Sequence, residues 1–183
     1  MTTAIDVARW IIDRSQASGA HDMTNMKLNK LVYFAQAHHL ATTGRPLYAD
    51  AIEAWQHGPV VQDVYQSFKS FGPRPITDSA IKPELDSVAT ELLEAVWSKY
   101  GSKTAGNLRM MSHDDLPYKL HYTGEWNSVI PVEEIRDYYH RAISEREVIV
   151  LSEVDFVDEH DEAELERADN PESVARAVAY LLA

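Results

Sequence analysis

The 183-residue chain has no cysteine. That excludes disulfides and thiol chemistry, and makes a cytoplasmic setting the expectation. It has no run of eighteen apolar residues, so no hydrophobic helical membrane span is expected. The opening stretch from Met1 to Trp10 lacks the charged-then-apolar order of a secretion signal. No Gly-rich phosphate loop, G-x-S-x-G elbow or H-E-x-x-H pair occurs, and there are no long internal repeats or low-complexity tracts. Positive charge is scarce: 17 Lys and Arg stand against 29 Asp and Glu, a net charge of −12. A dedicated nucleic-acid binder carries a basic patch, so this balance argues against nucleic acid and for a basic partner. The length fits one domain, or one domain with an appendage.

The richest stretch runs from Met26 to Phe71. Leu28, Leu31, Val32, Ala35 and His39 share one helix face, and Met26, Tyr33, Ala37 and Leu40 form a second. A helix apolar on two faces is buried between neighbours. Thr24 is placed to cap its start, and Gly44 followed by Pro46 to end it. Lys27 and Lys30 oppose the helix dipole in the first two turns, so a local carboxylate is expected to compensate them. Residues 51–56 read as a short strand. Gly58-Pro59 then reads as the turn that starts a second helix through Val60, Val61, Val64, Tyr65, Phe68 and Phe71, because proline suits the first helical position.

Further helices are expected over residues 3–17, 83–100, 102–111 and 131–142, with one helical turn near 117–121. The 83–100 helix carries Leu85, Val88, Leu92 and Val96 on its main stripe. Past Ser144 the composition changes: residues 144–183 hold twelve acids against three arginines, nine of the twelve net negative charges. Within them Val148 to Leu151 is β-prone and reads as a strand that could pair with residues 52–55. The fold class is therefore mainly α, a compact multi-helix domain with a small β element. Residues 1–143 form the domain and 144–183 an acidic, partly helical extension.

Candidate chemistry is thin. His113-Asp114-Asp115 admits a metal or general-base reading. The plainer one has His113 satisfying backbone groups at a helix end and the two aspartates capping the next segment. His57 on the Gly58-Pro59 turn has no companion base within reach in the sequence, which leaves packing or partner contact. His38-His39 point about 100° apart on a helix, so they do not share a metal. Tyr118-His121-Tyr122 and Tyr138-Tyr139 are core aromatics or a partner-binding patch. No catalytic, cofactor or metal residue is assigned, and the chain is read as a binder, with a small metal- or His-dependent hydrolase as the distant alternative.

Lys27-Leu28, Lys30-Leu31, Tyr33, Ala35-Gln36-Ala37 and Leu40, then Glu53-Ala54-Trp55, Gly58-Pro59-Val60 and Val64-Tyr65, resemble the Panacea domain of SocA-like, phage-associated antitoxins. Leu108, Ser112-His113 and Pro117-Tyr118 extend the likeness, with Tyr118 standing where the family usually has Trp. The resemblance implies an antitoxin that neutralises a cognate protein toxin by direct binding. It implies as an alternative an adaptor that delivers the toxin to a Clp-type protease. Trp55, His57, Gly58, Pro59 and Tyr118 are the candidate partner contacts in the domain. Phe156, Leu165, Val174 and Leu181 are candidates in the acidic extension, suited to a toxin with a basic active site. The organising role of the Leu28–Leu40 helix is testable: Leu31→Ala is expected to cost on the order of 2–5 kcal/mol in a thermal or denaturant melt.

Overall fold

In a computed structural model, residues 2–77, 83–124 and 128–151, with positions 175 and 179, are described. The elements in chain order are α1 (Ala4–Ala17), α2 (Asn25–Thr43), β1 (Ile52–Trp55), β2 (Gly58–Val61), α3 (Gln62–Phe68) with a 3-10 turn at Lys69–Phe71, α4 (Ser87–Tyr100), α5 (Ala105–Asp114), α6 (Leu116–His121), β3 (Val129–Ile130) and α7 (Val132–Leu151). The chain is mainly helical with a small three-stranded antiparallel sheet, in the order β2-β1-β3. No helix among the described residues is long and apolar enough to cross a membrane.

Helix α2 is the axis. It packs against α1, α4, α5, α7 and β2, and all but three of its nineteen residues are buried. Its ends follow from local chemistry. The Thr24 hydroxyl accepts from Lys27 N–H, and Gly44 takes the left-handed conformation (φ 69°) that closes the C-terminus. Side-chain caps also start α1 (Thr3, in a reciprocal box with Asp6), α4 (Asp86) and α5 (Thr104). Of the two expected apolar faces, Leu28, Leu31, Val32, Ala35, Tyr33, Ala37 and Leu40 are buried, whereas Met26 is 40% exposed.

Several sequence expectations are corrected. Pro59 does not begin a helix: Gly58–Val61 pairs with Ile52–Trp55 across a two-residue turn, and helix α3 begins only at Gln62. Proline fits because β2 is an edge strand, where a missing N–H costs no ladder bond. The strand expected at Val148 to Leu151 is the last turn of α7, which runs through Ser144 without a break. The partner of β1 on its other edge is Val129–Ile130. Helix α4 begins at Ser87 rather than at Pro83, and Val88 lies on its exposed side while Ala89, Leu92, Leu93 and Val96 enter the core.

Asp115 does not cap α6 with its side chain. Its carboxylate lies in the core and accepts from Tyr33 Oη at 2.9 Å and Tyr139 Oη at 2.5 Å, tying α2 to α7 through the α5–α6 junction. Burial raises its pKa to about 6, against the lowering pull of the two tyrosine bonds. The folded state therefore holds the Asp115 proton more tightly than the unfolded chain. The resulting stability is present below about pH 4 and is lost as pH rises through about 6. Asp115→Asn keeps an acceptor for both tyrosines and removes the ionisation. Its stability, measured by denaturant titration, is expected to fall less than that of the wild type between pH 4 and 7, by on the order of 2–3 kcal/mol. Buried His38, held down to about 3 by burial and then by Lys99, acts in the opposite direction in both proteins.

Candidate functional site

The β1–β2 hairpin, the start of α2 and the α5–α6 region meet in one place. At the hairpin turn Gly58 has φ 96°, a conformation that L side chains rarely adopt. A Cβ there would also lie 2.8 Å from Ser112 Oγ and 2.9 Å from Lys30 Nζ. Glycine thus lets the hairpin sit directly on α2 and α5. Tyr118 clamps the turn from the other side, its hydroxyl donating to the Trp55 carbonyl at 2.9 Å. Its ring lies 4.6 Å from that of His113 and stacks on Tyr122 at 5.4 Å.

The two lysines of α2 are both fully buried but are satisfied differently. Lys27 Nζ bonds both carboxylate oxygens of Asp22 at 2.8 Å and the Gly101 carbonyl at 2.7 Å, which ties α2 to the end of α4. This is the carboxylate compensation expected from the sequence. Among the described residues Lys30 has none: its Nζ donates to the Pro59 carbonyl at 2.8 Å. Burial, and after it the neighbouring Arg109 guanidinium, lower its pKa to about 7. Asn29 completes the junction. Its carbonyl oxygen accepts from Val61 N–H at 3.3 Å, and its amide donates to Asn25, whose own amide donates to the Tyr65 carbonyl.

Above this junction opens a cleft of about 660 Å³ lined by Met26, Trp55, His57, Tyr65 and Tyr122, with Lys30 and Asn25 among its polar residues. Trp55 and Tyr65 meet edge to face at 5.0 Å, and Trp55 Nε1 donates to Glu53 at 2.7 Å. A second, more open cleft lies against residues 15–23 and 71–77 and holds none of the motif residues. Of the sequence candidates, Trp55, His57, Gly58, Pro59 and Tyr118 come together here. Trp55 is half-buried, His57 exposed, and the other three buried. Phe156, Leu165, Val174 and Leu181 lie outside the described residues. Met26, Tyr65 and Arg109 also belong to this region, and sequence spacing does not single them out as contacts. Met26 and Tyr65 fall on apolar helix stripes, where the sequence signals core.

His113 and Asp115 part company. Asp115 turns to the tyrosines of the core, and His113 bonds the backbone of His57, a group on the hairpin rather than at its own helix end. Burial, with Arg109, Lys30 and His57 nearby, lowers the His113 pKa. Among the described residues no group of three His, Asp or Glu side chains is arranged to hold a metal ion.

The depressed Lys30 pKa has a measurable consequence. Below its unfolded value of 10.5 and above about 7, the folded state holds fewer protons at this site than the unfolded chain. Stability from this group therefore rises with pH across that window. Denaturant titrations at pH 7 and 9.5 are expected to differ by on the order of 3 kcal/mol in the wild type, and Lys30→Met is expected to remove most of that difference.

Residues 28–119 match the family model for the antitoxin SocA-like Panacea domain. The chain is 34% identical over 119 residues to antitoxin SocA of Caulobacter vibrioides, a match covering 58% of this chain and 63% of that protein. No solved structure matches the chain. The matched segment holds most of α2, the hairpin, and α3 through most of α6, and so contains the buried Lys30 junction and most of the cleft's aromatic wall. The chain belongs to the SocA-like antitoxin family that carries the Panacea domain.

Proposed function

We propose that the protein is an antitoxin that holds a cognate protein toxin inactive by direct binding. The observation that carries this reading is the family match over residues 28–119, together with its likeness to a protein named antitoxin SocA. The binding surface is the rim of the aromatic cleft: Met26, Trp55, His57, Tyr65 and Tyr122. Tyrosine and tryptophan dominate protein interfaces because they bury large area at low conformational cost and keep a polar edge for hydrogen bonding. Met26, Tyr65 and Tyr122 are 40%, 37% and 39% exposed, more than such large apolar groups need to be for packing alone. The cleft needs no chemistry to act in this way. The acidic residues 144–183 supply a second contact, suited to a basic groove on the toxin, and electrostatic steering would speed association at low salt.

The test is growth of cells that express the neighbouring open reading frame, with and without this protein, paired with pull-down of the two products. Rescue of growth with co-purification is expected. Tyr65→Ala and Met26→Ala are expected to weaken binding by about 2 kcal/mol with an unchanged melting temperature. Truncation after Leu151, which leaves α7 whole, is expected to slow association. A toxin that disappears from the cell instead of accumulating in a complex, and reappears when a Clp-type protease is deleted, would assign the adaptor mechanism. A neighbour that is harmless alone, or one rescued without contact, would overturn the antitoxin reading.

A further inference from the structure

Beneath the hairpin turn four basic side chains converge from three elements: Lys30 of α2, His57 of the turn, and Arg109 and His113 of α5. The charge of Arg109 acts on Lys30, and Arg109, Lys30 and His57 all act on His113. In a chain with 29 acids and a net charge of −12, none of the four is paired with a carboxylate among the described residues. Two of their nitrogens, Arg109 Nε and His113 Nε2, are buried without a hydrogen-bond partner. Leaving buried polar nitrogens unsatisfied is costly, and crowding basic groups together adds to the cost of protonating them. Lys30 spends one N–H on the Pro59 carbonyl, and an ammonium carries three. Polarity and charge are therefore missing the same thing here, a compact hydrogen-bond acceptor that carries negative charge.

The cluster is continuous with the cleft. Lys30 and His57 both line it, and His57 is exposed to solvent. Beside them stand Trp55, Tyr65 and Tyr122, and among the described residues no Asp or Glu contributes to the lining. The volume of about 660 Å³ is that of a small-ligand site.

We infer that Lys30, His57, Arg109 and His113 form an oxyanion-binding site, whose ligand joins one carboxylate or phosphate to a flat apolar body held against Trp55, Tyr65 and Tyr122. The anion accepts from the basic nitrogens, and the apolar body fills the cleft. The same chemistry is offered by a free phosphorylated aromatic molecule and by an acidic residue of a bound protein. The inference stands apart from the antitoxin reading, since it concerns the isolated chain.

The test is a titration of the full-length protein at low ionic strength with inorganic phosphate, acetate, phenyl phosphate and phenylacetate, with sodium chloride as control. The readout is the imidazole NMR signals of His57 and His113 and the indole signal of Trp55. Saturable shifts at both histidines are expected, with the phenyl-bearing anions moving Trp55 as well and binding up to about tenfold tighter than the bare ones. Arg109→Gln is expected to weaken binding about tenfold or more. Because Arg109 is partly buried, His57→Gln serves as a second variant at an exposed position, also expected to weaken binding without a change in melting temperature. Preference for phosphates supports a free phosphorylated ligand, and preference for carboxylates supports capture of an acidic side chain. Shifts that never saturate, that chloride reproduces, or that persist unchanged in a folded Arg109→Gln or His57→Gln protein would overturn the inference.

Discussion

The structure depends on the hydrogen bonding of polar groups that helix α2 carries into the core. Lys27, Asn29, Lys30, Gln36 and His38 are all buried, and each must find a partner because water cannot reach it. The partners lie on three other parts of the fold: the end of α4, the hairpin, and the segment that leads into β1. Lys27 fixes the end of α4 through Gly101, and Asn29 and Lys30 fix the hairpin through Val61 and Pro59. Gln36 donates to the Tyr48 carbonyl and accepts from Leu47 and Tyr48 N–H, which fixes the segment leading into β1. His38 meets Tyr100 at the end of α4. An apolar helix of the same length would bury comparable area but leave its neighbours free to slide and rotate. These five side chains specify which neighbour goes where.

The same bonding explains why some of the structure could be read in the sequence and some could not. Local signals were sufficient for α2: its apolar spacing, the Thr24 cap and the Gly44 stop all act within a few residues, and each is present as expected. The β1 strand was legible for the same reason. The Gly58-Pro59 segment was not, because its conformation is set from a distance. A proline after glycine favours a helix start only until Ile52–Trp55 and Asn29 offer the backbone other partners. Val129–Ile130 is too short to show a pattern and exists as a strand through its pairing with Ile52 and Glu53. At Val148 to Leu151 the branched side chains favour a strand, but the preceding helix continues through them.

For the candidate site, the motif positions Trp55, His57, Gly58, Pro59 and Tyr118 were visible as residue types, and their convergence was not. Asp115 looked like a cap because it precedes a helix. Its engagement with Tyr33 and Tyr139 joins positions 82 and 24 residues away. Arg109 had no sequence signal at all. It lies on a polar helix, and only the packing of α5 beneath the hairpin brings its charge to Lys30.

The placement of α7 on α2 carries a consequence for synthesis. In synthesis α2 is made early, directly after α1, and the helix that covers much of it, α7, begins about ninety residues after α2 ends. At elongation rates of about 5–20 residues per second, α2 therefore waits several seconds before α7 covers its apolar side chains. Apolar surface exposed during that interval favours aggregation, and long-range closure of this kind slows folding. For a chain closed in this way, chaperones and the pace of translation act on a step that the stability of the finished fold does not describe.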